Sequence, residues 1–346
     1  MKFVVLLCGA LLSAGSFSSS ADELKERQVT SDTAVTYFHS GQFAALDRDA
    51  KRYRDKGDRT SSGLWKLTLF YTGLSGIPNS AVTDEAYWQD LERKAQQWIS
   101  AFPDSPAGHL VYADFLMSHG WMYRGNGWSH QVRQSDWKPF HEYVAKTRQY
   151  LNKHKAVAAR DPRWYELMIK VATAEGWEIE AFNALVDEAT SRHPYFYQIY
   201  FAAIHYLTPK WHGSKEEIEK FAQNAVSKTR SVENDAMYAR IYWVASQSNY
   251  GDSLFTDSDV VWSKMSKSID EVLKRYPDQW NINNFAYFSC LAGDAKKTSS
   301  LMTRMTGRPI MQAWKSMDFH DRCKRWSSAS QAPQENKAKT GPLIPI

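Results

Sequence analysis

Two short segments combine aromatic side chains with turn-forming and polar residues. Residues 121–130 read WMYRGNGWSH, and residues 206–213 read YLTPKWHG. Tryptophan and tyrosine rings offer a large and rigid contact area with a polar edge, so such loops can stack on a sugar ring or on a peptide. The candidate binding residues are Trp121, Tyr123 and Trp128 in the first segment and Lys210, Trp211 and His212 in the second.

Each segment has a functional and a structural interpretation. Pro209 interrupts a helix in the second segment, which leaves the cation of Lys210 beside the ring of Trp211. A cation next to exposed rings can hold an anionic or peptidic ligand. The structural alternative is an ordinary loop between helices whose tryptophans fold back over the core, since aromatic residues are also major core residues.

The sequence lacks the short motifs that mark common catalytic sites. It has no Gly-x-Ser-x-Gly, no phosphate-binding loop and no dinucleotide-binding glycine pattern. None of the 10 histidines forms a pair at metal-ligand spacing beside cysteines or carboxylates. We therefore predict a non-catalytic protein without a metal or another cofactor. Folding could still bring two carboxylates together as an acid and base pair, and that leaves an envelope hydrolase as a further alternative.

The first 21 residues have the pattern of a secretory signal peptide. Lys2 precedes the uncharged residues 3–12, and small residues follow up to Ser19 and Ala21. We expect cleavage near Ala21 and export of the mature chain to the periplasm or the medium. No later stretch approaches the roughly 18 apolar residues that a membrane span requires. The sequence thus predicts an exported protein without a membrane span.

The charges are mixed along the chain. The 43 Lys and Arg residues are interspersed with 38 Asp and Glu residues, and the net charge is +5. Nucleic-acid binding requires a clustered basic patch, so we predict no nucleic-acid partner.

Residues 163–194 have the pattern of two helices joined by a short turn. Apolar residues at i, i+3, i+4, i+7 and i+8 indicate one buried helix face, and these are Trp164, Leu167, Met168, Val171 and Ala172. Gly176 ends this helix, and a second apolar stripe runs from Ile179 to Ala189 before His193. Similar pairs recur along the chain, and no window alternates with period two. The sequence therefore predicts stacked helix pairs.

The spacing within this pair resembles the tetratricopeptide repeat. Relative to Gly176, an aromatic residue, Tyr165, lies eleven positions back, while Phe182, Ala189 and Pro194 follow. The resemblance implies an all-α fold, an α-solenoid of six to seven antiparallel helix pairs, over residues 22–326.

Other segments resemble a family of exported bacterial proteins that contain a domain of unknown function built on such repeats. These segments are GLWKLTLFYTGL (63–74), FPDSPAGHLVYADFL (102–116), WKPFHEY (137–143), PKWHGSKEEIEKFA (209–222) and WNINNFAYFSCLAGD (280–294). This second resemblance implies the fold and export, and it implies no activity.

Cys290 and Cys323 are the only cysteines after the predicted leader, and they lie one repeat length apart. Because the protein is expected to be exported, we predict a disulfide between them. Two buried free thiols are the alternative. Residues 327–346 contain three prolines and no aromatic residue, and we expect a disordered tail there.

The predicted fold favours a scaffold or adaptor that binds a protein or peptide partner, because repeat arrays present long concave surfaces. The alternative is a glycan-binding or small-ligand-binding module that uses the aromatic loops at residues 121–130 and 206–213.

Overall fold

The computed structural model describes residues 23–125 and 127–330. Within these ranges the regular structure is helical, apart from one isolated bridge between Arg59 and Trp65. The prediction of an all-α fold is confirmed. The expected leader, residues 1–21, lies outside the described ranges, as do residues 331–346 of the expected tail. The last helix continues to Ala329, past the predicted start of that tail at residue 327.

The N-terminal half contains α1 (Glu23–His39), α2 (Phe43–Lys56), α3 (Lys66–Ser75), α4 (Glu85–Ala101), α5 (Pro106–Arg124), α6 (Gln134–Lys153), α7 (Lys155–Ala158), α8 (Arg163–Glu175) and α9 (Ile179–Arg192). The C-terminal half contains α10 (Tyr197–Leu207), α11 (Lys215–Glu233), α12 (Ala236–Ala245), α13 (Leu254–Asp257), α14 (Trp262–Arg275), α15 (Gln279–Leu291), α16 (Ala295–Met302), α17 (Met311–Trp314) and α18 (Met317–Ala329). Short 3-10 turns occupy Ser129–Gln131 and Gly251–Ser253, and a π turn, Ser246–Tyr250, extends α12. No helix in the described ranges is long and apolar enough to cross a lipid bilayer.

The predicted pair at residues 163–194 forms α8 and α9, which pack against each other. Gly176 ends α8 in the left-handed conformation, with φ +65°, and its N–H bonds to the Ala172 carbonyl oxygen. Phe182 and Ala189 on the apolar stripe of α9 are buried. Local sequence therefore determines where these two helices begin and end.

One set of helices packs side by side in chain order and forms an inner layer. In this layer α3 contacts α5, α5 contacts α8, α8 contacts α10, and α10 contacts α12. Trp243 of α12 packs against Phe285 of α15, with ring centroids 5.4 Å apart. The outer helices cover this layer: α4 and α6 pack on α5, α9 on α8 and α10, α11 on α10 and α12, and α14 on α12 and α15.

The composition of the helices explains the two layers. The inner helices α5, α8, α10 and α12 are buried around most of their circumference. The outer helices α11 and α14 bury one apolar stripe and expose charged residues on the other side. A helix that buries most of its circumference lies between other helices, whereas a helix with one apolar stripe and a charged opposite side belongs at the surface.

The two ends of the inner layer meet through residues 58–65, which we call the closing loop. Ser61 Oγ donates to Asp278 at 2.8 Å, and Asn281 Nδ2 donates to the Ser62 carbonyl oxygen at 3.1 Å. Glu23 at the start of α1 accepts hydrogen bonds from the Ser62 N–H (2.9 Å) and the Ser61 Oγ (3.0 Å). Since α1 packs on α3, these contacts connect the first helices with α15.

Gly63 is the residue of the closing loop that lies against Tyr276. Its φ is +89°, and an added Cβ would lie 2.8 Å from the Tyr276 ring. We expect Gly63→Ala to lower the free energy of unfolding by about 3 kcal/mol, because the left-handed backbone is strained and the ring must move. Urea denaturation followed by far-ultraviolet circular dichroism measures this loss.

Gly41→Ala is the matched control for Gly63→Ala. Gly41 has φ +69°, but nothing lies within 4 Å of the position that an added Cβ would take. Only the backbone strain of about 1 kcal/mol is expected there. Equal losses in the two variants would contradict the close approach between Gly63 and Tyr276.

Cys290 of α15 and Cys323 of α18 are bonded to each other, with their Cα atoms 5.9 Å apart. α18 also packs on α15 and α16. The disulfide therefore fastens the last described helix to the inner layer.

Candidate ligand-binding cavity

A cavity of about 800 Å³ lies among the inner helices. Side chains from α1, α3, α5, α8, α10, α12 and α15 and from the closing loop form its wall. Small-molecule sites in proteins usually measure about 300–1,000 Å³. The volume of this cavity is therefore suited to a small ligand.

Four tryptophans dominate the apolar part of the wall. They are Trp121 of α5, Trp211 after α10, Trp243 of α12 and Trp280 of α15. The rings of Trp243 and Trp280 stack, with centroids 6.3 Å apart and an interplanar angle of 25°. These side chains give the cavity flat apolar faces on several sides.

The structure brings the two predicted aromatic segments together. Trp121 and Trp211 both line the cavity. Trp128 is 58% exposed, and Lys210 Nζ lies 4.9 Å from the centroid of its ring. Trp128 and Lys210 thus connect the two segments across a cation–π contact.

Tyr123 and His212 make contacts with neighbouring helices instead of lining the cavity. The Tyr123 hydroxyl donates to Glu85, and burial together with that carboxylate raises the pKa of Tyr123 to about 12. His212 Nε2 lies 3.1 Å from the Thr173 carbonyl oxygen. These contacts attach the two segments to α4 and α8, so we assign Tyr123 and His212 a positioning role.

A group of charged side chains forms the polar part of the wall; we call it the wall cluster (Asp114, Arg163, Glu166 and Lys170). Arg163 Nη2 donates to Asp114 at 3.1 Å, and Arg163 Nη1 donates to Glu166. Lys170 Nζ lies 3.9 Å from Asp114 and 3.7 Å from Glu166. Two carboxylates therefore face two cations.

The wall cluster keeps Asp114 ionised. Burial acts to raise the pKa of this carboxyl, but the charges of Arg163 and Lys170 outweigh burial and lower it. Arg163 is also held in its charged form. Burial alone would lower the pKa of Arg163, but the carboxylates of Glu166 and Asp114 outweigh burial and raise it. Asp114 can thus accept hydrogen bonds at neutral pH, and it holds no proton to donate.

Sequence reasoning missed most of this wall, although α8 carries a signal for it. Arg163, Glu166, Lys170 and Thr173 lie at i, i+3, i+7 and i+10 and all line the cavity. They form a second stripe beside the apolar stripe of a helix that is buried almost throughout. Charged side chains are rarely buried without a polar partner. When they occur on a buried helix, they indicate an internal polar site.

Across residues 23–125 and 127–330, no group of three or more His, Cys, Asp or Glu side chains is arranged to hold a metal ion.

The fold and the cavity define a class of protein: an all-helical chain with an aromatic and charged cavity among its inner helices. Comparison with known proteins adds no particular identity, since no protein family, no curated protein and no solved structure matches the chain.

Proposed function

We propose that this chain is an exported binding protein that holds a saccharide in the cavity among its inner helices. In this proposal the helix pairs form a tetratricopeptide-like solenoid that curves until the closing loop reaches α15. The observation that carries the proposal is the presence of four tryptophans and many hydrogen-bonding side chains in one cavity wall.

A sugar ring matches both parts of this wall. Its C–H faces are apolar and stack on indole rings, and its hydroxyl groups require donors and acceptors when they leave water. Gln198 and Gln247 line the cavity and offer neutral donors and acceptors. The ionised Asp114 accepts charge-assisted hydrogen bonds, which are stronger than neutral ones.

The wall cluster supports binding better than glycoside hydrolysis. A glycoside hydrolase requires a carboxylic acid with a raised pKa that protonates the leaving group. Here Arg163 bonds to both carboxylates, and the pKa of Asp114 is lowered. The pair is thus arranged to accept hydrogen bonds.

The adaptor hypothesis stays a prediction. It requires a long concave groove in which an extended segment of another protein can lie. In the proposed solenoid, the contacts of Ser61 and Ser62 with α15 run across the concave side of the helix series. This favours a small ligand over an extended segment.

Tryptophan fluorescence tests the proposal directly. The mature protein is titrated with neutral and acidic oligosaccharides, and we expect a saturable change in emission. Trp243→Ala should weaken binding by about 30-fold, because removal of a central stacking side chain costs about 2 kcal/mol.

Trp326→Ala is the control, since Trp326 lies in α18 and does not line the cavity. We expect its affinity to equal that of the unmodified protein. If no oligosaccharide changes the emission or releases heat in calorimetry, the saccharide-binding proposal is wrong.

A further inference from the structure

Arg240 of α12 lines the cavity and is only 8% exposed. Its Nε and Nη2 atoms are buried and have no hydrogen-bond partner. Its guanidinium instead lies over two aromatic rings, 5.1 Å from the centroid of Tyr197 and 5.5 Å from that of Tyr276. Native proteins rarely leave a buried charged group unpaired, so this side chain requires an explanation.

The surroundings of Arg240 carry an excess of positive charge. Arg59 stacks on the same Tyr197 ring at 4.5 Å and donates to two backbone carbonyl oxygens. The negative charge of Glu233 attracts Arg240, but Glu233 already forms an ion pair with Arg275 at 2.8 Å. Burial lowers the pKa of Arg240, while Tyr197 and Glu233 oppose that effect. An arginine keeps its proton at neutral pH under such conditions.

The other cations of the described wall have carboxylate partners. Arg27 pairs with Glu23 at 2.6 Å, and the wall cluster balances two cations with two carboxylates. His205 also lines the cavity, and burial with the nearby Lys170 and Lys210 lowers its pKa, so it is neutral at pH 7. Within the described part of the chain, Arg240 is thus the wall cation without a carboxylate within ion-pair distance.

The position of the Arg240 guanidinium also suits an anionic ligand. Its Nε and Nη2 atoms are enclosed by protein in the ligand-free structure, so a ligand in the cavity reaches the guanidinium from its Nη1 side. The side chain must turn for its Nε and Nη2 edge to bind a carboxylate through two parallel hydrogen bonds. Arg240, Trp243 and Gln247 follow each other at i, i+3 and i+7 and all line the cavity. An anionic group on Arg240 would therefore lie about one helical turn, roughly 5 Å, from a ring stacked on Trp243.

We propose that the ligand of the cavity is an acidic saccharide and that Arg240 binds its carboxylate. This inference rests on the proposed saccharide-binding function and specifies the class of sugar. In the ligand-free protein Arg240 lowers the stability, and in the complex the carboxylate of the sugar supplies the partner that Arg240 lacks.

Two matched pairs of sugars test the inference by calorimetry at a fixed ionic strength. The first pair is N-acetylglucosaminyl-N-acetylmuramic acid and N,N′-diacetylchitobiose, and the second pair is digalacturonate and its methyl ester. We expect the unmodified protein to prefer the acidic member of at least one pair by about 10- to 100-fold, because hydrogen bonds to a charged group contribute that much. Arg240→Gln should remove the preference and leave the affinity for the neutral member within about twofold.

Thermal unfolding of the free protein separates a binding role from a structural one. We expect Arg240→Gln to raise the melting temperature, because it removes an unpaired buried charge. Lys274→Gln, which removes an exposed charge on α14, should change neither the melting temperature nor the sugar preference. A lower melting temperature for Arg240→Gln would identify Arg240 as a structural residue and overturn the inference.

The outcomes also separate this inference from the function on which it rests. Equal affinity for acidic and neutral sugars, unchanged in Arg240→Gln, would overturn the role of Arg240 and leave the saccharide site in place. If no member of either pair binds, and no oligosaccharide of the panel above binds, then both the role of Arg240 and the saccharide-binding function are wrong.

Discussion

Glu23→Gln is expected to lower the free energy of unfolding by about 3 kcal/mol at neutral pH, because it removes one partner of a buried charged network. Glu23 is 3% exposed. Its carboxylate accepts hydrogen bonds from Ser62 Oγ (2.7 Å), the Ser62 N–H (2.9 Å) and Thr60 Oγ1 (2.9 Å), and it pairs with Arg27 at 2.6 Å. The amide nitrogen of glutamine is a donor, so it cannot replace an oxygen that accepts from several donors. Urea denaturation gives the difference in free energy.

The effect of Glu23→Gln should depend on pH. Burial acts to raise the pKa of Glu23, but hydrogen bonds from Ser62 and the charge of Arg27 lower it below its ordinary 4.5. A carboxyl with a lowered pKa stabilises the folded state above pH 4.5, and this contribution is lost as the pH falls through the lower, folded-state pKa. The difference between the two proteins should therefore be largest near pH 7 and become smaller below about pH 4.5. A difference that stays constant down to about pH 3 would contradict this account.

Glu26→Gln is the matched control, one turn away on α1. Glu26 accepts from the Ser61 N–H at 3.2 Å and pairs with Lys66 at 2.8 Å, but it is partly exposed. Because solvent screens such a pair, we expect a loss of at most about 1 kcal/mol.

Arg163→Met is expected to lower the free energy of unfolding by about 4 kcal/mol, the usual range when one member of a buried ion group is removed. The variant leaves Asp114 and Glu166 buried, with Lys170 as their remaining cation at 3.9 and 3.7 Å. Lys170 is itself 41% exposed and therefore compensates little of the loss. Urea denaturation of the purified protein measures this loss.

A triple variant provides the control for Arg163→Met. Combining it with Asp114→Asn and Glu166→Gln removes the unpaired negative charges, and we expect more than half of the lost stability to return. If the triple variant is no more stable than Arg163→Met, lost packing and not unpaired charge is the cause. The triple variant should also bind sugars more weakly, because the charged acceptors of the wall are gone.

Local sequence determined the helices of this protein. The apolar stripe of α8 and the glycine at position 176 define a helix and its end, because the 3.6-residue period and the left-handed conformation depend on neighbouring residues alone. The same reasoning located the interruption of the helix at Pro209 and marked Cys290 and Cys323 as a possible pair. It also selected Trp121 and Trp211, since tryptophans in segments with glycine or proline stand out from a helical pattern.

Tertiary structure alone decided where the cavity lies and what lines it. Ser61 and Asp278 are 217 positions apart, and nothing near either residue in the sequence predicts their hydrogen bond. Trp243 and Trp280 cannot be distinguished from core residues in the sequence, because a tryptophan on a covered helix shows the same pattern whether it faces a packed neighbour or a cavity. The same holds for Arg240: its lack of a partner depends on which carboxylates the packing of distant helices brings near it. Helix positions follow from short-range periodicity, whereas the cavity follows from contacts between residues that lie far apart in the sequence.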